Sequence, residues 1–370
     1  MEILLVTSHF GASRNVGFMS MVGTELANRG HDVSGLQYES GEVVDSFPIR
    51  RTSASEVYTP YWFGQWLFYR DWKPTIRSYL SKNAPDVVVT DRRCMVPTIA
   101  VAESLDIPAV GVVPGLGFTR FDPYDLGPDK RPSFIGAPKS VKLQYPFVKA
   151  LFREHRTVLQ EASRVVTISE FLRETLTKTF HCESELVRTP VRLDEVRANS
   201  VDPEYLTFVN PRSELKGADI VLALAAELPD EEFLIAGNFP GETYERRAQS
   251  MDNVTHLGWV DDMRDVYRRT KLILVPSLVE EGGGPRVVLE GFANGIPSVG
   301  TNRGAIPEHI GEAGATVSTP HDIGEWKGRI STVLQEYDEY ADRASQSAGA
   351  YAVEGRITEF EQVLAEAVEG

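Results

Sequence analysis

Two carboxylates, Glu281 and Glu290, bracket the densest run of chemistry-bearing residues in the chain, Pro276-Ser-Leu-Val-Glu-Glu-Gly-Gly-Gly-Pro-Arg-Val-Val-Leu-Glu-Gly-Phe-Ala-Asn-Gly-Ile-Pro297. Gly282, Gly283 and Gly284 carry no side chains, so their backbone N–H groups can come close to a ligand. The loop leads into a helix whose N-terminus adds partial positive charge, which suits phosphate. Glu290 is the only charge in Val287-Val-Leu-Glu-Gly-Phe-Ala293, an otherwise apolar stretch. An unpaired buried carboxylate is costly, so something specific must satisfy it. Ligand hydroxyls would serve, since they donate to a carboxylate. A local backbone cap or a pair with Arg286 would serve as well, and the local sequence leaves both open.

A second candidate is Phe208-Val-Asn-Pro-Arg-Ser-Glu-Leu-Lys-Gly-Ala-Asp219, which reads as strand, loop and helix start. Arg212 and Lys216 fall in the loop, with Gly217 at the helix start. Two cations there make a diphosphate clamp, Arg through paired donors and Lys as a point charge. Solvated basic residues are the plainer alternative.

The elements that must position these groups alternate short β-rich runs with longer helical stretches, the sign of parallel α/β sheets. In the first half, strands are expected at Glu2–Thr7, Asp32–Leu36, Asp86–Thr90, Ala109–Val113 and Val165–Ile168. Helices are expected at Phe18–Arg29, Pro60–Lys82, Val96–Leu105, Val141–Ala162 and Glu170–Thr179. A polar stretch over Thr189–Pro203 reads as the linker. Strands then resume at Tyr205–Val209, Glu232–Ala236, Val254–Leu257, Leu272–Val275, Ser298–Gly300 and Ala315–Val317. The helices between them are expected at Gly217–Leu228, Asp261–Arg269, Val287–Asn294 and His321–Tyr337, with a helical tail over Thr358–Val368. The fold class is α/β: two Rossmann-like doubly wound domains, 1–190 and 204–350, with 351–370 as a C-terminal helix. A cleft between the domains is the default ligand site.

The 370 residues are too many for one ordinary core. An acidic balance of 53 Asp and Glu against 38 Lys and Arg, net −15, argues against general nucleic-acid binding. Only 10 of the basic residues are Lys, as a salty cytoplasm or an Arg-favouring genome would produce. No apolar run reaches the roughly 18 residues of a membrane span, and the Met1 segment reads as a first strand rather than a signal peptide. Two cysteines, Cys94 and Cys182, make neither a disulfide framework nor a zinc site. The expected location is the cytoplasm.

In order along the chain, Asn210-Pro-Arg-Ser-Glu-Leu-Lys-Gly217, Asn253-Val-Thr-His-Leu-Gly258, the loop to Glu290 and Asn294-Gly-Ile-Pro-Ser-Val-Gly-Thr-Asn-Arg-Gly-Ala-Ile-Pro-Glu308 resemble the family 4 glycosyltransferases of the GT-B fold. Ile3-Leu-Leu-Val-Thr7, Leu26-Ala-Asn-Arg-Gly-His-Asp-Val33 and Val166-Thr-Ile-Ser-Glu170 also match. The resemblance implies retaining sugar transfer from a nucleotide-sugar co-substrate, a UDP-sugar ahead of a GDP-sugar, with no cofactor and no required metal. The acceptor would be a glycan, a lipid-linked sugar or a small molecule, bound by the N-terminal domain, on which the C-terminal helix would pack back.

By the same resemblance, Arg212 and Lys216 would neutralise the diphosphate leaving group. Glu290 would accept from the ribose hydroxyls. Glu281 would hold the donor sugar, with the Gly282, Gly283 and Gly284 amides near sugar and phosphate, and the base would lie near Gly258 and Val260. The chain departs from the pattern twice. Eight residues stand between Glu281 and Glu290 where the family has seven, which makes Glu280 a rival for the first role. The family's His after the strand matching Ala109–Val113 is absent from Val113-Pro-Gly-Leu-Gly-Phe118, and the Gly-Gly pair after the first strand is replaced by His9-Phe-Gly-Ala-Ser-Arg-Asn-Val-Gly17. His9 is then either a cleft residue or a peripheral one. The alternatives to a transferase are a GT-B epimerase, a phosphorylase and a two-domain ligand-binding protein.

Two further segments stand out. Pro60-Tyr-Trp-Phe-Gly-Gln-Trp-Leu-Phe-Tyr-Arg-Asp-Trp72 puts Trp62, Trp66 and Tyr69 on one helical face, a core helix or else an aromatic wall for an acceptor. Segment 130–160 runs against the global charge, with Lys130, Arg131, Lys139, Lys142, Lys149, Arg153 and Arg156 against Glu154 alone. It reads as a peripheral contact with anionic headgroups at the inner membrane face, or as an ordinary solvated helix.

Overall fold

The computed structural model describes residues 1–10, 17–38, 45–53, 60–116, 139–198 and 202–370. Parts of four segments singled out above, namely Gly11–Val16, Gly117–Phe118, Lys130–Pro138 and Asn199–Val201, lie outside the described residues. The chain divides into two units, Met1–Pro190 with Arg356–Gly370, and Val191–Gly355.

Unit 1 holds a parallel sheet of β1 (Glu2–Thr7), β2 (Asp32–Gln37), β3 (Ile49–Arg51), β4 (Val87–Asp91), β5 (Ala109–Val113), β6 (Arg164–Thr167) and β7 (Glu185–Leu186), in the order β3-β2-β1-β4-β5-β6-β7. Leu4 of β1 lies opposite Ser34 on one side and Val88 on the other. Helices cover both faces of such a sheet, so its central strands are apolar throughout. Ile3, Leu4, Leu5 and Val6 are all buried, as is every residue of β4 and β5.

The aromatic segment forms the helix Tyr61–Leu80. Trp62, Phe68, Tyr69 and Trp72 are buried in the core and Trp66 packs against it, so the core reading holds over the aromatic wall. The Trp72 indole donates to Thr98 Oγ1 at 2.8 Å, and the Tyr69 phenol meets His155 Nε2 at 2.6 Å. Burial pushes the His155 imidazole down to about 3, which keeps it neutral. The C-terminal helix Val353–Glu369 belongs to unit 1 from Arg356 onward. There Phe360 meets Phe18 edge-on at 5.6 Å, and Glu361 accepts from His31 Nε2 at 2.8 Å and from Arg29.

Unit 2 holds a second parallel sheet of β8 (Tyr205–Val209), β9 (Glu232–Ala236), β10 (Val254–Gly258), β11 (Thr270–Val275), β12 (Ser298–Thr301) and β13 (Gly314–Val317), in the order β10-β9-β8-β11-β12-β13. The stretch expected to link the domains is partly built into this unit. Val191 and Val196 are buried in its core, and Val191 N donates to Tyr351 O at 2.8 Å. The helix expected over Asp261–Arg269 is only Arg264–Tyr267, because the Asp262 carboxylate takes Arg264 N–H at 3.0 Å and caps a turn instead.

Among the described residues no helix is long and apolar enough to cross a membrane. Both cysteines are free and buried, and burial pushes the Cys182 thiol up to about 12.

Candidate functional site

In an open parallel sheet, ligands bind beyond the carboxyl ends of the strands where the strand order reverses. In unit 2 that point lies between β8 and β11. A cavity of about 290 Å³ opens there, lined by Val209 and Asn210 from the β8 end, Val275, Pro276 and Ser277 from the β11 end, and Glu281, Gly284 and Glu290 beyond it. Its volume is at the lower bound of ordinary small-molecule sites, roughly 300–1,000 Å³.

Local sequence brings the two loops together. Pro276 has no N–H and ends the ladder of β11. Leu278 N then donates to Leu215 O at 2.8 Å, tying this loop to the loop after β8. Gly217, at φ 81, closes that approach. A Cβ there would lie 2.2 Å from Pro276 O, so no other residue fits without backbone movement. Lys216 ends the short 3-10 turn Glu214–Lys216, which Ser213 Oγ caps by accepting from Leu215 N at 3.3 Å.

Lys216 Nζ is hydrogen-bonded to Glu281 Oε1, and Ser277 Oγ donates to the same oxygen at 2.6 Å. Glu281 thus lines the cavity, and Glu280 does not. Glu290 sits four residues along the helix Arg286–Phe292 from its ion partner, with Arg286 Nε 2.8 Å from Oε1. Its other oxygen, Oε2, accepts from the Tyr267 phenol. Burial pushes the Tyr267 hydroxyl well above the usual phenol range, and the Glu290 charge adds to the effect. The Arg286 pair considered from sequence is therefore present, and it leaves Glu290 on the cavity wall.

The structure separates other residues from this group. Arg212 is exposed and turned to Asn210, whose Oδ1 accepts from Arg212 Nε at 2.8 Å; Asn210 itself is in the left-handed region, at φ 64, just past the strand end. Of the three glycines only Gly284 reaches the cavity. The start of the loop is pinned elsewhere, with Ala305 N donating to Glu281 O at 2.8 Å and Glu281 bridged to Gly304. The steric demand at Gly284, φ 73, comes from protein: a Cβ would lie 2.0 Å from Nδ1 of buried His309.

Gly258 and Val260 lie outside the cavity. Gly258 O accepts from Gly237 N at 2.6 Å, and Val260 packs against Leu234, Ala236 and Val266. His9, in unit 1, is half-buried just past β1.

Sequence reasoning missed Tyr267 and Ser277. Ser277 sits directly after the strand-ending proline, a position that could have marked it. Tyr267 had no local signal, since it meets Glu290 from 23 residues away. Among the described residues no cluster of three or more metal-ligating side chains occurs.

Comparison with known proteins bears on both units. The glycosyltransferase from Rickettsia africae ESF-5 superposes with a TM-score of 0.73 over 100% of this chain and 99% of its own, at 12% identity. Anabaena HepE in complex with UDP gives 0.72 over 99% of this chain and 100% of its own, at 13% identity. The fold is GT-B. The profile of the family described as Glycosyl transferases group 1 matches residues 203–336, which cover most of the second GT-B unit. The D-inositol 3-phosphate glycosyltransferase of Mycolicibacterium smegmatis is 33% identical over 201 residues, 49% of this chain and 46% of that enzyme. The chain spans about half the length of the curated relatives it matches.

Proposed function

We propose that this protein transfers a sugar from a nucleotide-sugar donor, a UDP-sugar ahead of a GDP-sugar, to a hydroxyl of a glycan, lipid-linked or small-molecule acceptor, with retention at the anomeric carbon. The observation that carries the reading is that Lys216 and Glu290 line one cavity at the strand-order reversal of unit 2. That placement offers a cation to a diphosphate and a carboxylate to a ribose diol. The relatives named as glycosyltransferases and the UDP complex of HepE support it.

In the reaction the bond from the anomeric carbon to the diphosphate oxygen breaks, and the acceptor oxygen bonds to that carbon on the same face. The acceptor proton passes to the departing diphosphate oxygen, so no protein base is required. Lys216 exchanges Glu281 for the phosphate as negative charge develops, an electrostatic contribution that is large when the donor is already in place. Glu281, released, accepts from a hydroxyl of the donor sugar. Arg212 joins only by turning from Asn210. The acceptor binds unit 1, and no metal or cofactor enters.

A peripheral contact with anionic headgroups draws on the helix Lys139–Glu161, where Lys139, Lys142, Lys149, Arg153 and Arg156 are exposed beside Leu143, itself 83% exposed. Neutralising Lys139, Lys142 and Lys149 weakens sedimentation with anionic vesicles; equal sedimentation removes this contact.

The test of the transfer reading is a thermal-shift panel of UDP, GDP, ADP, dTDP and their sugar conjugates. A ligand that binds only the folded state adds about 2.7 kcal/mol at a hundredfold excess over Kd. A selective rise with one nucleotide and its sugar conjugate, followed by transfer with that donor, is the expected result. No rise with any nucleotide overturns the reading.

A further inference from the structure

We infer that Tyr267 is the positioning residue that fixes Glu290 for recognition of a nucleotide's ribose, and so sets discrimination between ribose and deoxyribose ligands. The inference rests on the proposed donor site and deepens it. Three features carry it. Tyr267 is 1% exposed yet lines the same cavity as Glu290, so its hydroxyl reaches the site from the protein interior. That hydroxyl donates to Oε2, while Arg286 stands at Oε1, so each carboxylate oxygen is held from a different element. The phenol comes from the helix Arg264–Tyr267 and the guanidinium from the helix Arg286–Phe292, which also carries Glu290.

A carboxylate on a flexible stem has several rotamers, and a hydrogen bond at one oxygen with an ion pair at the other favour one of them. Each oxygen still has acceptor capacity after one donor, because a carboxylate offers about four lone-pair sites. A vicinal diol can then donate to both oxygens at once, which a carboxylate with a free torsion meets less well. An arginine alone would orient Glu290 only from its own helix. The phenol supplies the second fixed point and stays protonated, because burial and the carboxylate charge both oppose its ionisation.

The experiment measures Kd for UDP and GDP, each against its 2′,3′-dideoxy counterpart, in the parent, Tyr267→Phe, Glu290→Gln and the double variant. The expected result is that the parent prefers the ribonucleotide, and that Tyr267→Phe reduces this preference about tenfold while dideoxynucleotide affinity holds, the loss of one charge-assisted hydrogen bond. Unchanged dideoxynucleotide affinity also reports an intact fold. In the double variant the losses do not add, because both act through one carboxylate.

Retained preference in Tyr267→Phe, with the preference lost in Glu290→Gln, overturns the positioning role and leaves the donor site standing. Additive losses with dideoxynucleotide affinity falling in parallel overturn it too, as general damage to the cavity. A parent that binds no nucleotide overturns the donor reading, and this inference with it.

Discussion

The two sheets share a topology and treat charge at their reversal points in opposite ways. In unit 2, between β8 and β11, the cavity's carboxylates are matched to cations: Glu281 to Lys216 and Glu290 to Arg286. In unit 1, between β1 and β4, the equivalent strand ends bring Thr7 and Asp91 together, and Thr7 Oγ1 donates to Asp91 Oδ1 at 2.5 Å. Asp91 is buried, and among the described residues that hydroxyl and the exposed Arg92, 3.4 Å away, support its charge. Burial outweighs both and pushes its carboxyl up to about 6. One topology thus produces a site that presents charge and another that suppresses it, the difference lying in burial: Asp91 ends its strand inside the protein beside a solvent-facing arginine, whereas Glu281 and Glu290 stand beyond the strand ends, part-exposed, against Lys216 and Arg286. Four variants test this contrast between the units.

The largest effect falls in unit 2. Lys216→Ala removes the cavity's Lys216–Glu281 ion pair and, on the proposed chemistry, the leaving-group cation. Turnover is expected to fall by roughly 2–4 kcal/mol of transition-state stabilisation, read as kcat/KM with the donor found in the nucleotide panel. Near-parental turnover would mean that the unit 2 ion pair is structural.

Next is Asp91→Asn. A carboxyl held above its ordinary value of 3.8, at about 6, favours the folded state most when protonated. The parent's stability is therefore fully present below about pH 4 on this account and is lost as pH rises through about 6, by up to about 3 kcal/mol. Asn keeps an acceptor for Thr7 and cannot ionise. Thermal midpoints of Asp91→Asn minus parent should grow between about pH 4 and 6 and level off above. A flat difference would place Asp91's charge in a better-compensated setting than the one described here.

Third is Gly217→Ala, which forces a side chain into the left-handed region and against Pro276 O. A loss of roughly 1–3 kcal/mol is expected from strain alone, measured by urea unfolding. An unchanged midpoint would show that the two loops of the cavity are free to separate.

How much of this was legible in the sequence follows from the same physics. The observed ends of β1, β5, β8 and β9 match those expected, because a short, β-branched-rich apolar run between polar residues is the length of a strand buried on both faces and too short for a helix. The edge strands Ile49–Arg51 and Glu185–Leu186 were missed, being too short and too polar to show a period. The helix Glu242–Gln249 was missed because Glu-Thr-Tyr-Glu-Arg-Arg-Ala-Gln has almost no apolar stripe, only Ala248 being buried. In the cavity, Lys216, Glu281, Gly284 and Glu290 were legible, as charge and glycine patterns at strand ends are local. Arg212, Gly258 and Val260 stand apart from it, Arg212 held to the Asn210 side chain, Gly258 bonded to Gly237 and Val260 packed on Leu234, Ala236 and Val266. Tyr267 was not legible, because it meets Glu290 from 23 residues away, across the intervening strand β11.

The smallest effect tests whether unit 1 ever matches a carboxylate as unit 2 does. Glu361, on the C-terminal helix, is part-buried, which pushes its carboxyl up, but bonds from His31 and Arg29 outweigh this and hold it below the usual range. A depressed carboxyl stabilises the fold when ionised, so its contribution is present above the ordinary carboxylate pKa and is lost as pH falls, the reverse of Asp91. Glu361→Gln should cost about 0.2–1 kcal/mol near pH 7, typical of a partly exposed pair, and nothing once the parent's carboxylate is protonated. The loss should shrink in high salt, since the pair is open to solvent. Because Phe360, fully buried beside Phe18, anchors the helix independently of charge, the helix stays docked in the variant. Its stability difference from the parent should therefore run opposite in sign to that of Asp91→Asn and vanish at the acid end of the same titration. A difference that persists below pH 3 would mean that packing around position 361, rather than its charge, carries the contact.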